Sequence, residues 1–131
     1  EGFCMPVDAL HYFAWWITPV NSPKRWTTRF FATALPPGQN AKHDCKELTD
    51  SGWLRPKDAL QSGLDGQIKL PQPPRRNLDL MKDFESVDEL LEWAAGQHRT
   101  GSTSICPVQV FVDGKEMYPI PGDQHYPEPT Q

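Results

Sequence analysis

Two runs of sequence decide the fold of this chain: WWITP at positions 15–19 and RWTTRFFATAL at positions 25–35. Both runs are rich in aromatic and β-branched residues, which favour β-strands. Residues that favour turns separate them, namely Pro19, Asn21, Ser22 and Pro23. The sequence therefore predicts two strands, over residues 9–17 and 26–35, joined by a polar loop.

The composition is that of one small domain with many loops. The chain has 131 residues, enough to bury a core without disulfides or metals. A hydrophobic fraction of 37% and 14 prolines indicate many turns and extended connections. The formal net charge of -4 argues against nucleic-acid binding and against binding to an anionic membrane surface. A local basic pocket is compatible with this charge.

The cysteines and the apolar runs bear on the compartment. Cys4, Cys45 and Cys106 are odd in number and show no Cys-x-x-Cys spacing, so neither a zinc site nor a disulfide framework is expected. Reduced thiols predict an intracellular protein. No apolar run has the length of a membrane span, so no membrane insertion is predicted. Because residue 1 is Glu1 rather than methionine, the chain is interpreted as a processed product or a piece of a longer one.

Further elements are predicted downstream. A short strand is predicted over residues 47–54. Pro56 suits the first position of a helix over residues 57–62, because no N–H is needed there, and Gly63 is predicted to end this helix. A second helix is predicted over residues 75–83, where a proline-rich stretch ends.

The strongest local helix signal is the capping box Ser86-Val87-Asp88-Glu89. In such a box the Ser86 hydroxyl accepts the N–H of Glu89, and the Glu89 carboxylate accepts the N–H of Ser86. An apolar stripe follows, and Gly96 is predicted to end the helix at about residue 95.

Asp113-Gly114 predicts a tight hairpin between strands over residues 108–112 and 115–118. Strands followed by helices and a hairpin are typical of a mixed α+β domain. Residues 1–126 are predicted to form this domain, and residues 127–131 a flexible tail.

Several motifs follow one another in an order that resembles the Nudix hydrolases. His43-Asp44 and Glu47 come after the two strand runs, and SGWLRPKDAL at 51–60 and IKLPQPP at 68–74 follow. Together they resemble the C-terminal half of the acyl-coenzyme A diphosphatase subgroup. The resemblance implies an α+β, Nudix-like mixed sheet with flanking helices that lacks its N-terminal half. The subgroup occurs in bacteria and in peroxisomes or mitochondria, which leaves cytoplasm, mitochondria and peroxisomes open as compartments.

The Nudix family also carries a box, Gly-x5-Glu-x7-Arg-Glu-U-x-Glu-Glu-x-Gly-U, whose carboxylates hold magnesium against the substrate diphosphate. This sequence has no such box. Its helical carboxylates are interpreted as a capped, solvated helix face: Glu85, Asp88, Glu89 and Glu92. In the family the box lies upstream of the strand pair. The resemblance therefore implies a partner that carries the missing half, either the chain's own upstream half after cleavage or a separately encoded one, or else a larger assembly. Magnesium or manganese would bind only in that completed site, and no cofactor or metal is expected on this chain alone.

The resemblance also implies that the downstream strands and loops shape the substrate pocket. Glu47, with His43 and Asp44 nearby, is the candidate catalytic base or water-orienting residue, because a carboxylate beside an activated water can take its proton. An exposed acidic loop is the alternative. Arg29 lies among apolar residues and threonines, so it either points to solvent or lines a polar pocket where it binds phosphate.

Two basic pairs are further candidates for binding the phosphates of a nucleotide or coenzyme A: Lys24-Arg25 and Arg75-Arg76. Surface charges that only aid solubility are the alternative. Thr27 stands where the family often has aspartate, so a function of this position is left open. No partner is identified for three histidines, His11, His98 and His125.

Three functions are compatible with these observations. The first is a Nudix-type hydrolase that cleaves the diphosphate of a coenzyme A or nucleotide derivative, to which this chain supplies substrate-side strands and loops. The chain alone is then predicted to be inactive. The alternative is a noncatalytic, Nudix-derived structural subunit of a larger intracellular complex. The third is a module that binds such a ligand without turnover.

Overall fold

The computed structural model describes residues 7–46 and 50–127 of the chain. These residues form two units. The sheet unit contains Leu10–Ala32 together with residues 94–127, and the helical unit contains Thr33–Trp93 and a short 3-10 turn, Val7–Ala9. The predicted tail lies almost wholly outside the described residues, so it stays a prediction.

The sheet unit is built on the predicted strand pair. β1 (His11–Ile17) and β2 (Thr27–Ala32) are antiparallel, with a register shift between Tyr12 and Ala14. The prediction of two strands is confirmed, although β2 ends at Ala32 rather than at residue 35. A two-residue strand that the sequence did not predict, β3 (Ser104–Ile105), pairs in parallel with β1, so the sheet order is β2-β1-β3.

β1 is the central strand and carries the core of this unit. Ala14 and Trp16 point to the same face, because side chains two apart in a strand share a face, and each is only 3% exposed. Trp15 points to the opposite face and is half-buried. The apolar run therefore packs on both faces, as expected of a central strand.

The predicted hairpin is also confirmed. β4 (Val110–Val112) and β5 (Lys115–Met117) pair as a separate two-stranded sheet. Asp113 and Gly114 have φ angles of 50° and 75°. Both central residues are thus left-handed, as a type I′ turn requires.

The first helix of the helical unit is α1 (Pro56–Leu64). It begins at Pro56 as predicted, but the prediction that Gly63 ends it is wrong. Gly63 lies within the helix, where a Cβ atom would be 3.1 Å from Cδ2 of Leu70. This glycine serves close packing, and Gly66, with φ of 73°, takes the left-handed position after the helix.

The second helix, α2 (Gln72–Met81), starts three residues earlier than predicted and ends before residue 83. Pro73 and Pro74 lie in its first turn, where backbone N–H groups have no partner within a helix. The N–H of Arg75 makes the first helical bond, to the carbonyl of Pro71 at 3.0 Å. The proline-rich stretch therefore begins this helix instead of preceding it.

The third helix, α3 (Val87–Thr100), begins at the predicted capping box. The Glu89 N–H donates to the Ser86 hydroxyl at 3.1 Å, as predicted. The Glu89 carboxylate, however, accepts the N–H of Glu85 at 3.0 Å rather than that of Ser86. The prediction that Gly96 ends the helix is wrong, because the helix continues to Thr100 and Gly101, with φ of 79°, follows its end.

The prediction of a strand over residues 47–54 is wrong for the residues that the structure describes. Residues 47–49 lie outside the described part, and residues 50–54 form no strand. Trp53 is 77% exposed. An apolar pair such as Trp53-Leu54 forms a strand only where a neighbouring strand accepts its backbone hydrogen bonds.

The helices of the described residues do not have the length and apolar character that a membrane-spanning helix needs.

Candidate functional site

Arg29 lies at the centre of the candidate site on the β1–β2 pair. It sits directly opposite Trp15 in the antiparallel register. The Arg29 guanidinium carbon lies 5.1 Å from the centroid of the Trp15 ring, within the range of a cation–π contact. Arg29 is exposed, and phosphate binding by its guanidinium stays a prediction. The aromatic ring therefore supports an exposed guanidinium.

Thr27 fixes the ring on which Arg29 lies. The Trp15 indole N–H donates to the Thr27 hydroxyl at 2.5 Å. Thr27 and Arg29 are two apart in β2 and share a face, which the period of two in the sequence already indicated. What the sequence could not show is the cross-strand hydrogen bond. The function of Thr27 was left open by the sequence, and the structure shows that its hydroxyl accepts a hydrogen bond from the Trp15 indole.

Lys24 and Arg25 lie in the loop between the two strands, and both are exposed. The Thr18 N–H donates to the Trp26 carbonyl at 3.0 Å, and this bond closes the loop. The Arg25 Nε–H donates to the Thr18 carbonyl at 3.2 Å, so part of its donor capacity is used inside the loop. The structure thus places Lys24, Arg25 and Arg29 on one strand–loop–strand segment.

His43 and Asp44 lie in a loop of the helical unit. His43 Nδ1 lies 2.8 Å from the Ser51 hydroxyl. Asp44 accepts the backbone N–H of Lys46 at 3.1 Å, and Cys45 between them has φ of 58°. Asp44 therefore stabilises a turn. The candidate base, Glu47, lies outside the described residues, so its catalytic role stays a prediction.

The helical carboxylates are all exposed: Glu85, Asp88, Glu89 and Glu92. The Glu89 carboxylate caps the start of α3, which agrees with a capped helix face. Within residues 7–46 and 50–127, no group of three or more His, Cys, Asp or Glu side chains could hold a metal ion. The described residues thus do not fit the magnesium set of a Nudix box.

His98 has partners that the sequence did not reveal. The Tyr12 backbone N–H donates to His98 Nδ1 at 3.5 Å, and the two rings meet edge to face with centroids 6.4 Å apart. The sequence analysis identified no partner for His98, and the structure shows that Tyr12 is one. The two residues are 86 positions apart, so no local pattern indicated the contact.

A groove with mixed chemistry lies between α1 and α2 in the helical unit. Its cavity measures about 290 Å³. Its lining residues are Leu60, Gly63, Leu64, Leu70, Arg75, Arg76, Asp79 and Lys82. The Lys82 ammonium lies 2.9 Å from the Asp79 carboxylate. This hydrogen bond lowers the pKa of Asp79 and raises that of Lys82, so both stay charged at neutral pH.

Sequence comparisons find relatives with which this chain shares part of its length. The acyl-coenzyme A diphosphatase NUDT19 of Xenopus laevis is 30% identical over an alignment of 133 positions. This alignment covers 98% of this chain and 35% of that protein. The human protein of the same name is 27% identical, covering 95% and 34%. The chain is similar to one part of a Nudix hydrolase. The putative nudix hydrolase 7 of Caenorhabditis elegans agrees, at 25% identity over 84% of the chain and 36% of that protein.

The chain spans about a third of the length of these curated relatives. No protein-family model matches the chain. No solved structure matches it either. The relationship to Nudix hydrolases is therefore partial, and the mixed α+β arrangement of a small sheet with helices is compatible with it.

Proposed function

We propose that this chain is the C-terminal, substrate-side part of a Nudix-type hydrolase that cleaves the diphosphate of a coenzyme A or nucleotide derivative. The observation that carries the proposal is the similarity to proteins named acyl-coenzyme A diphosphatase over nearly all of the chain. The metal-binding box would lie upstream in the same polypeptide or on a partner polypeptide.

The reaction requires charge stabilisation, which the exposed cations of the β1–β2 segment can supply. In hydrolysis of a diphosphate, water oxygen attacks one phosphorus and the bridging P–O bond breaks. The bond electrons leave with the departing phosphate, and the water proton goes to a base. Arg29 is suited to bind phosphate oxygens in this process, because its planar fork makes paired hydrogen bonds with such groups. Lys24 and Arg25 add positive charge to the same segment.

The base in this proposal is Glu47, as the resemblance implies. His43 and Asp44 shape the turn that precedes it.

The test isolates the native polypeptide that contains this sequence, with an antibody against the exposed segment of residues 36–42. Native mass spectrometry and peptide sequencing then identify the whole polypeptide and any partner. An assay with acyl-coenzyme A and magnesium should yield adenosine 3′,5′-bisphosphate and the acylated phosphopantetheine, and chelation should stop it. Absence of diphosphate cleavage with both coenzyme A and nucleotide substrates would refute the proposal.

A variant separates the role of Arg29 from general effects. Arg29→Gln in the recombinant whole polypeptide should lower kcat/KM by about tenfold to a hundredfold, the worth of a hydrogen bond to a charged group at about 1.5–3 kcal/mol. Arg99→Gln is the matched control, because Arg99 is also exposed and lies near the end of α3. Equal activities of the two variants would contradict phosphate binding by Arg29.

A further inference from the structure

The groove between α1 and α2 has an apolar interior that no side chain fills. Leu60, Leu64 and Leu70 supply its walls, and its volume of about 290 Å³ lies near the lower end for ligand pockets, roughly 300–1,000 Å³. Gly63 lies against Leu70 in this wall, where a Cβ atom would be 3.1 Å from Leu70 Cδ2. Leu64 is 78% exposed. A ligand that covered Leu64 would remove apolar surface from water, which is favourable.

The rim of the groove is cationic although the chain as a whole carries a net charge of -4. Arg75, Arg76 and Lys82 face one carboxylate, Asp79, so the rim has more positive than negative groups. Asp79 already pairs with Lys82. Arg75 is exposed, and among the described residues its guanidinium makes no hydrogen bond or ion pair. Arg75 is therefore the group on the rim best placed to receive an anion.

We propose that this groove binds a small amphipathic anion: a single alkyl chain against the three leucines, with a phosphate head group on Arg75. Each methylene removed from water favours binding, and a guanidinium pairs well with phosphate oxygens. A neutral chain would make no ion pair with Arg75, and inorganic phosphate would leave the leucines exposed. The volume holds roughly ten water-sized groups at about 30 Å³ each, which suits one chain of eight to ten carbons.

This site goes beyond the proposed hydrolase function, because binding in the groove needs neither turnover nor a metal. All of its lining residues belong to the helical unit. The Arg29 cation on β2 belongs to the sheet unit. Loss of one activity therefore leaves the other testable.

The experiment titrates octyl phosphate into the isotopically labelled full chain and follows backbone amide NMR signals. We expect saturable shifts concentrated on Leu60, Gly63, Leu64 and Leu70. Inorganic phosphate and octyl glucoside, which each carry half of the ligand's chemistry, should bind at least tenfold more weakly.

Two substitutions at exposed positions test the groove directly. Leu64→Gln and Arg75→Gln should each weaken octyl phosphate binding by about tenfold or more. Leu80→Gln and Arg99→Gln are the controls, since Leu80 is 54% exposed on α2 and neither residue lines the groove. Circular dichroism verifies that each variant is folded, and if Leu64→Gln is not, Arg75→Gln decides. Unchanged affinity in Arg75→Gln, equal binding of octyl glucoside, or shifts elsewhere than the groove would overturn the proposal.

Discussion

Replacing Trp16 by alanine should remove a large part of the stability of the sheet unit. Trp16 is 3% exposed and pairs with both Thr28 of β2 and Ile105 of β3. An aromatic side chain buries about 150–250 Å², and at about 25 cal/mol per Å² its near-complete burial is worth about 4–6 kcal/mol. Measured aromatic-to-alanine losses of about 3–5 kcal/mol agree with this value. The whole free energy of unfolding of a small domain is only about 5–15 kcal/mol.

The control is Trp53→Ala, because Trp53 is 77% exposed and less than a quarter of its surface can be lost from the core. By the same area estimate, Trp53→Ala should lower the free energy of unfolding by less than about 1.5 kcal/mol. Urea denaturation followed by far-ultraviolet circular dichroism measures both. With a slope of about 2 kcal/mol per M, Trp16→Ala should move the midpoint by about 2 M. Equal shifts for the two variants would refute the assignment of Trp16 to the core, and Trp16→Phe, a smaller change, serves if the alanine variant does not fold.

Three further predictions concern local structure. Gly114→Ala should lower the free energy of unfolding by about 1 kcal/mol or more, because its φ of 75° disfavours a side chain, whereas Gly96→Ala inside α3 should raise it by about 0.5–1 kcal/mol. Ser86→Ala should lower the free energy of unfolding by about 1 kcal/mol, since a helix cap is lost. Urea denaturation measures the effect of these three substitutions. Lys82→Gln should raise the pKa of Asp79 toward its ordinary value, because the Lys82 hydrogen bond lowers it, as carbon NMR over a pH series will show. Because that pKa is lowered on folding, the pair stabilises the chain at neutral pH and this contribution is lost as the pH falls through the folded pKa of Asp79.

Each of these has a contrary outcome. An unchanged or raised free energy of unfolding in Gly114→Ala would contradict the left-handed turn at Gly114. An unchanged stability of Ser86→Ala would mean that the cap is replaced by water. A pKa of Asp79 that stays low in Lys82→Gln would point to Arg75 and Arg76 as the main cause.

Features set by neighbouring residues in the sequence were predicted well. The strands β1 and β2 follow from dense aromatic and β-branched residues, and the β4–β5 turn follows from Asp113-Gly114. The Ser86 half of the capping box was predicted down to the donor and acceptor. Each is a preference of a few adjacent residues, which the rest of the fold did not override.

Features that depend on distant residues were missed or misplaced. β3 is two residues long, and only its pairing with β1 makes it a strand. Gly63 reads as a helix end, yet α1 continues to Leu64, and Gly63 packs against the distant Leu70. Arg29 could be listed as a candidate from sequence, but its position over the Trp15 ring needed the register of the two strands.

The sequence by itself determined the class of the fold, the main strand pair, the local turns and caps, and the resemblance to Nudix hydrolases. These depend on backbone preferences and on residue order, which are properties of the chain before it folds. Only the tertiary structure decided that the Thr27 hydroxyl holds the Trp15 ring beneath Arg29, and that leucines of one helix face arginines of another across a groove. Such contacts depend on distances between residues far apart in sequence, and those distances exist only once the chain is packed.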